Sequence, residues 1–475
     1  MILSSIRRRR QFIAVLSGPA VFALSTMLLQ STLGFKESIA VATTIWMALW
    51  WVLRPVNISV TALLPIAINA IFELVPMKDI ISQYFSEIIV LLFGADIICM
   101  TWSTTGLDKR FSIKSLCLIG TSMKQQITVW FIMSAFLSMF LPNVVVCTIL
   151  VPVAVSMLHF IGEKNIKASK TAVPILLAIV WGAGIGGFGT PLGGAANLVA
   201  ISYLENISGE EFMYVDWVIR FLPFLLIISA LNIFFLCSIK LPSSHIEGTE
   251  SYFKKAYDDL GTIKRSELIS LLLFAAATIL SFARPAFADM LPGMKPAYIF
   301  LTLSLLTFVI TDDGIPLMTW EQAESGVMWG MLFLFAGGLA LGQLVTGTGA
   351  AAKIAQIIAE GNLTGGFGTI MIFTLFACGL SEISSNTAAA AISVPVVHSI
   401  TMALGLNPIP YLFVTIVAFN SAYILPVSIR AIPVGYGLKP SALFHNGFKL
   451  ALFSILTISI AGYFFIEYWP LFSAL

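Results

Sequence analysis

Long apolar runs with almost no charge constrain this chain more than any other feature. Residues 13–29, 58–71, 219–235, 268–282, 298–310 and 450–465 are nearly free of Asp, Glu, Lys and Arg. A helix that crosses a bilayer needs about 20 mostly apolar residues. Several runs reach or approach that length once their flanks are added. A membrane β-barrel would show alternating segments of about ten residues instead, and no such alternation is present. Of 475 residues, 58% are hydrophobic and 11% charged, too little polarity to clothe a soluble core of this size. The expected fold class is therefore an all-α integral membrane protein.

The first apolar run follows Met1–Arg10 with no small-residue cleavage site after it, so it is read as a spanning helix rather than a removed signal. Cys99, Cys117, Cys147, Cys237 and Cys378 lie scattered in apolar stretches, which fits packing rather than disulfides or metal. His159, His245, His398 and His445 are isolated. A membrane enzyme should gather His, Asp and Glu at membrane depth, and the sequence shows no such cluster. The net charge of +2 gives no reason to expect a nucleic-acid partner.

Lys and Arg distribution sets the expected orientation. Basic residues cluster at Arg7–Arg10, at Lys109, Arg110, Lys114 and Lys124, at Lys164, Lys167 and Lys170, and at Lys254, Lys255, Lys264 and Arg265. These segments are expected in the cytoplasm, with the N-terminus, in a multi-pass plasma-membrane protein. Arg7–Arg10 also suits anionic lipid. The stretch 205–216 carries Glu205, Glu210, Glu211 and Asp216 and no basic residue, and is expected outside.

One segment occurs twice. Leu137-Ser138-Met139-Phe140-Leu141-Pro142-Asn143 is followed, nine residues after the Asn, by Pro152. Leu380-Ser381-Glu382-Ile383-Ser384-Ser385-Asn386 is followed, again nine residues on, by Pro395. The offset is 243 residues for both the Asn and the Pro. Many carriers are built from inverted halves of this kind. Each copy places helix breakers inside an apolar segment, and lipid tolerates broken backbone only where it faces protein or a wet cavity. Helices that start at such breaks direct bare N–H groups and partial positive charge into the cavity. Two facing tips suit an anion with two negative ends. Ser385, Asn386 and Thr387 also suit simple N-capping, which does not compete with binding. A further break follows each copy. Gly182–Asn197 holds seven glycines around Thr190-Pro191, and Asn420–Gly437 holds Pro426, Arg430 and Pro433.

At these residues the sequence resembles the divalent anion/sodium symporters, which carry dicarboxylates, citrate or sulfate. That family has a Ser-Asn-Thr signature at each of two re-entrant hairpin tips, each followed by an unwound stretch in a broken helix. The match is most specific at Ser384-Ser385-Asn386-Thr387-Ala388, and extends to Gly189-Thr190-Pro191-Leu192-Gly193 ending at Asn197. The resemblance implies about eleven transmembrane helices plus two hairpins in an inverted repeat, a dimerising scaffold and an elevator-like transport domain. It divides the chain into N-terminal scaffold helices (1–86) and a first transport part (87–204, hairpin 122–160). Scaffold helices with a cytoplasmic loop at 240–265 follow (205–326), then a second transport part (327–440, hairpin 363–398) and a C-terminal helix (441–475). It implies that a small dicarboxylate such as succinate, malate or 2-oxoglutarate sits between Asn143 and the Ser385, Asn386 and Thr387 tip. Gly193, Gly194, Asn197, Pro426 and Val427 would line the unwound stretches, and Arg430 would supply positive charge. Ser138, Ser381 and Ser384 are the candidate neighbours of sodium, the only cofactor-like species implied.

This chain departs from the pattern at three places. The first signature reads Pro142-Asn143-Val144, the first unwound stretch keeps only Asn197, and the second reads Ser428-Ile429-Arg430. A guanidinium at 4 Å from Na⁺ would be repelled by about 4 kcal/mol at an effective dielectric near 20. The sequence-based expectation is therefore dicarboxylate exchange without sodium, in a homodimer. Sodium-coupled dicarboxylate or citrate symport is the alternative. An anion channel is a third reading; it needs a continuous polar pore, whereas the sequence offers two closed polar clusters. Arg430 also suits a structural pairing with Glu382, because a carboxylate facing a dianion would repel it.

Overall fold

A computed structural model of the chain describes residues 2–117, 120–240, 248–350, 352–353 and 364–474. His245, part of the 240–265 loop and the first residue of the 363–398 hairpin lie outside the described residues. The chain is an all-α membrane protein. Its described strands are a two-residue ribbon, Thr311–Asp312 against Ile315–Pro316, with Thr311 opposite Pro316. Asp313 and Gly314 turn it with positive φ.

Among the described residues, seven helices are long and apolar enough to cross a membrane, and five shorter apolar ones accompany them. Helix α1 (Ile2–Leu33) continues straight through the first apolar run and packs on α2 (Phe35–Leu53). Short helices α3 (Ile58–Thr61), α4 (Leu64–Phe72) and α5 (Met77–Ile81) lead to α6 (Glu87–Thr105) and α7 (Leu107–Leu116). The first hairpin is α8 (Met123–Ser138) and α9 (Asn143–Phe160), followed by α10 (Ala172–Gly186) and α11 (Ala195–Ser208). Then come α12 (Tyr214–Ser238), α13 (Thr249–Asp258), α14 (Arg265–Phe282), α15 (Pro296–Val309), α16 (Trp320–Gly326) and α17 (Trp329–Gly347). The second hairpin is α18 (Phe367–Ile383) and α19 (Asn386–Ala403), followed by α20 (Pro408–Asn420) and α21 (Ala431–Gly435). Helices α22 (Pro440–Tyr468) and α23 (Pro470–Ser473) close the chain.

Two kinds of packing position the hairpins. Helix α10 is apolar all round and almost wholly buried, with its closest neighbour α8. Gly182 and Gly186, one turn apart, let the two backbones meet. A Cβ at Gly186 would lie 2.0 Å from the Ala135 carbonyl, and one at Gly182 would lie 2.6 Å from that of Phe131. Helix α6 packs chiefly against α15, and also against α14. There a Cβ at Gly94 would lie 2.7 Å from the Leu301 nitrogen. Small residues serve membrane helices in this way because lipid tails give no hydrophobic drive between them.

Charges collect at the helix ends. Arg110 pairs with Glu267 at 2.6 Å and also donates to the carbonyls of Leu260, Gly261 and Thr262, tying α7 to the start of α14. Beyond the other end of α14, Arg284 pairs with Glu211, and Lys295 pairs with Glu87. The acidic 205–216 segment and the basic 254–265 segment thus lie near opposite ends of the same bundle. Thr249 is fully buried and accepts a hydrogen bond from Gln126, which makes it a poor reporter for the basic loop. Ser208 and Lys255 are exposed. In a background lacking the native cysteines, cysteines at Ser208 and Lys255 should label from opposite faces of the membrane; labelling of both from one face would contradict this topology. Gly186→Val should overpack the α8–α10 contact by about 1–3 kcal/mol, read as a lower unfolding temperature in detergent.

Candidate functional site

The two repeat copies place their asparagines identically. Asn143 and Asn386 are the first residues of α9 and α19, each helix 18 residues long. Behind each, a serine one turn back on the preceding helix comes within hydrogen-bond distance of the Asn side-chain oxygen. Ser138 does so at 3.1 Å and Ser381 at 2.8 Å. Ser385 caps α19 by accepting from the Ala388 amide. Pro142 holds the equivalent place in the first copy and offers no side-chain cap. Ser384 is turned onto its own backbone, donating to the Leu380 carbonyl.

The unwound stretches are satisfied by different chemistry in the two halves. In the first, Asn197 donates to the carbonyls of Gly187 (2.7 Å) and Thr190 (3.0 Å). Thr190 donates to the Met139 carbonyl, Ser138 to that of Ala183 (2.7 Å), and Trp217 to that of Phe188 (2.8 Å). In the second, the Glu382 carboxylate accepts from the amides of Tyr423, Ile424 and Leu425 at 2.5–3.1 Å. Arg430 donates to the carbonyls of Leu425 (2.8 Å), Ser381 (2.9 Å) and Ala422 (3.3 Å), and its guanidinium lies 3.7 Å from Glu382. An amide relay joins the halves. Asn386 donates to Asn420 at 3.2 Å, and Asn420 donates to Asn197 at 3.3 Å.

One cavity opens between these elements. Asn143, Gly193, Gly194, Ser385, Asn386 and Thr387, all singled out from the sequence, line it together. The N-termini of α9, α11 and α19 face it, since Asn143, Gly194 and Asn386 stand at those ends. Each end carries roughly half a positive charge. Its other walls come from α6, α14, α15 and α17, through residues such as Leu92, Phe274, Phe300 and Phe335.

The structure leaves four predicted residues out of the lining. Asn197 is buried behind it, holding the Gly187–Thr190 turn. Pro426 is exposed in a separate groove with Pro440 and His445, and Val427 lines neither space. Ser428 and Ile429 of the same stretch line the cavity instead, because Ser428 adopts φ of 56° and turns the chain. Arg430 points away from the cavity onto carbonyls and Glu382, the structural pairing that the sequence had offered as its second role. Two polar residues were missed. Asn420 began a recognised break but was not assigned a part, and Asp96 of α6 stood as a lone acid in an apolar run, which is itself a functional signal inside a membrane. Both line the cavity.

Comparisons with known proteins bear on the family and the fold. The sodium-dependent dicarboxylate transporter SdcS of Staphylococcus saprophyticus is 26% identical, aligned over 96% of this chain and 91% of that protein. SdcS of Staphylococcus aureus is 26% identical with the same coverage. The crystal structure of the Alcanivorax borkumensis YdaH transporter shares the fold at a TM-score of 0.52 and 12% identity, over 82% of this chain and 86% of that one. The family model of the citrate transporters matches residues 48–418, a span that includes both hairpins and the first unwound stretch. The chain therefore belongs to the citrate transporter family, among the divalent anion/sodium symporters.

Proposed function

We propose that this chain is a sodium-coupled symporter of small dicarboxylates, held at the cavity between the two hairpin tips. The observation that carries this reading is the convergence of three helix N-termini and two asparagines on one cavity. Among the described residues that cavity is lined by no Lys, Arg or His. Its attraction for anions comes from backbone dipoles and amides, which suit a carboxylate at each tip. The SdcS relatives, named as sodium-dependent dicarboxylate transporters, support the substrate class. They also favour the symport alternative over the sodium-free exchange expected from the sequence.

Sodium here is a co-transported substrate. The first half offers it oxygens. Ser138 Oγ and Asn143 Oδ1 stand together, and the Ser138 and Gly187 carbonyls crowd the place where Gly193 would carry a Cβ. Hard cations take such oxygen sets. In the second half Arg430 occupies the corresponding carbonyls, so the reading assigns one sodium, at the first hairpin. Elevator movement of the hairpins against a scaffold, a homodimer, and a plasma-membrane location with a cytoplasmic N-terminus belong to the same proposal. A second reading, obligate exchange, is favoured by Arg430 alone. A fixed cation that cannot leave carries no gradient, although its pairing with Glu382 leaves no uncompensated charge to hinder crossing with the site empty.

Uptake of labelled succinate into empty proteoliposomes should follow an inward sodium gradient. Replacing Na⁺ by choline should slow it by about tenfold or more, within the usual range of ligand coupling. Uptake that demands internal dicarboxylate and ignores sodium would establish exchange instead. Asn143→Ala and Asn386→Ala should each weaken succinate binding by about tenfold to a hundredfold, the worth of one hydrogen bond to a charged group, with the purified variants still monodisperse. Arg430→Ala should cost about 3–5 kcal/mol of stability by stranding Glu382 and three carbonyls, measurable as a lower unfolding temperature before any effect on sodium dependence.

A further inference from the structure

Asp96 is the one acid that faces the cavity among the described residues. It sits near the middle of α6, about two and a half turns from Glu87 and from Thr105. Its carboxylate accepts one hydrogen bond, from the Met328 amide at 3.3 Å. Met328 is the N-cap of α17, so that bond and the positive end of α17 offset part of the cost that burial sets on a charge at Asp96. Among the described residues no basic side chain lines the cavity opposite it. On its own helix Cys99 also lines the cavity, as a neutral thiol. The neighbouring α14 and α15 present Phe274 and Phe300, and α17 presents Met331, Leu332 and Phe335. The charges carried by the elements packed on α6 lie outside the lining. Glu205, Lys295 and Glu87 gather at one end of the bundle, and the Arg110–Glu267 pair with the other charges of α7 at the opposite end. Glu321 and Glu324 of α16 are exposed.

A dianion entering this space meets a carboxylate with no cation between them. Two carboxylates that share a site do not both stay ionised at ordinary pH; the weaker acid takes a proton. The hairpin tips stabilise the charge of the substrate, whereas Asp96 has one amide. We propose that Asp96 takes up a proton when a dicarboxylate occupies the cavity, making substrate binding proton-linked. This rests on the dicarboxylate reading above and adds to it a second coupled cation, held by the protein rather than by the hairpin oxygens. Asp96 is thereby a binding-linked proton acceptor and not merely a cap of α17.

The test is titration calorimetry of the purified full-length protein with succinate at neutral pH in buffers of different ionisation enthalpy. The dependence of apparent heat on buffer gives the protons taken up per succinate bound. The native protein should take up a measurable fraction of a proton, at most one, per succinate. Asp96→Asn, which keeps an acceptor for the Met328 amide, should bind succinate with none. The native dissociation constant should rise by up to about tenfold per pH unit, the one-proton limit, and that of the variant should stay flat. Comparison within one substrate removes succinate's own titration. Binding by the native protein without proton uptake, or equal uptake by native and variant, would overturn the proposal. Should Asp96→Asn fail to fold, Asp96→Ser, which also lacks a titrating carboxyl, takes its place in the comparison. Absence of succinate binding by the native protein would instead overturn the dicarboxylate reading, and this inference with it.

Discussion

A helix can be broken inside a bilayer only if the freed amides and carbonyls find partners within the protein, and the whole site depends on how this chain meets that demand. The stretch after α20 exposes the amides of residues 423–425 and the carbonyls of residues 422 and 425. Glu382 caps the amides and Arg430 caps the carbonyls. Glu382 comes from the second hairpin, and Arg430, from the break itself, donates to the Ser381 carbonyl, so satisfying the break also fastens it to the tip. A buried ion pair at 3.7 Å adds little by itself, since desolvation offsets much of the attraction. The hydrogen bonds to backbone give the pair its structural weight. Removing either partner would leave both a charge and a row of peptide groups unpaired.

The first half solves the same problem without charge. Asn197 and Thr190 turn inward and Ser138 reaches across to α10. The first half meets its broken backbone with neutral serine, threonine and asparagine groups, whereas in the second a guanidinium occupies the carbonyls. The two halves of a duplicated architecture thus come to offer different chemistry to ions, while keeping the same Ser–Asn pair and the same helix start. The relay from Asn386 through Asn420 to Asn197 then links the two unwound stretches directly. The second hairpin tip is therefore in hydrogen-bond contact with the backbone turn of the first half.

Much of this was legible in the residues. The apolar runs, the Asn-to-Pro spacing and the glycine and proline breaks announced membrane helices, two hairpins and two unwound stretches. Asn143, Asn386, Ser138 and Ser381 occupy the places that their spacing implied. Arg430 shows the limit of such reading. Its position was clear, but a buried arginine has two ways to be satisfied, by an anion in a cavity or by carbonyls behind it. Which one holds depends on where Ser428 turns the chain, and a positive φ at a serine leaves no mark in composition. Asp96 shows the converse. It was visible as a lone acid in an apolar run, but nothing local connects it with hairpins far away in sequence.

The sequence by itself determined that this chain is a membrane protein with a duplicated, broken-helix core, because hydropathy and helix-breaking are local properties that the backbone must obey wherever it sits. Only the tertiary structure decided which polar groups face the same space. Residues 96, 143, 194, 386 and 428 share one cavity because glycines bring α8 against α10 and α6 against α15, and because the hairpin tips meet the unwound stretches. Those contacts are set by close packing between segments distant in the chain, and no local pattern specifies which glycine meets which carbonyl.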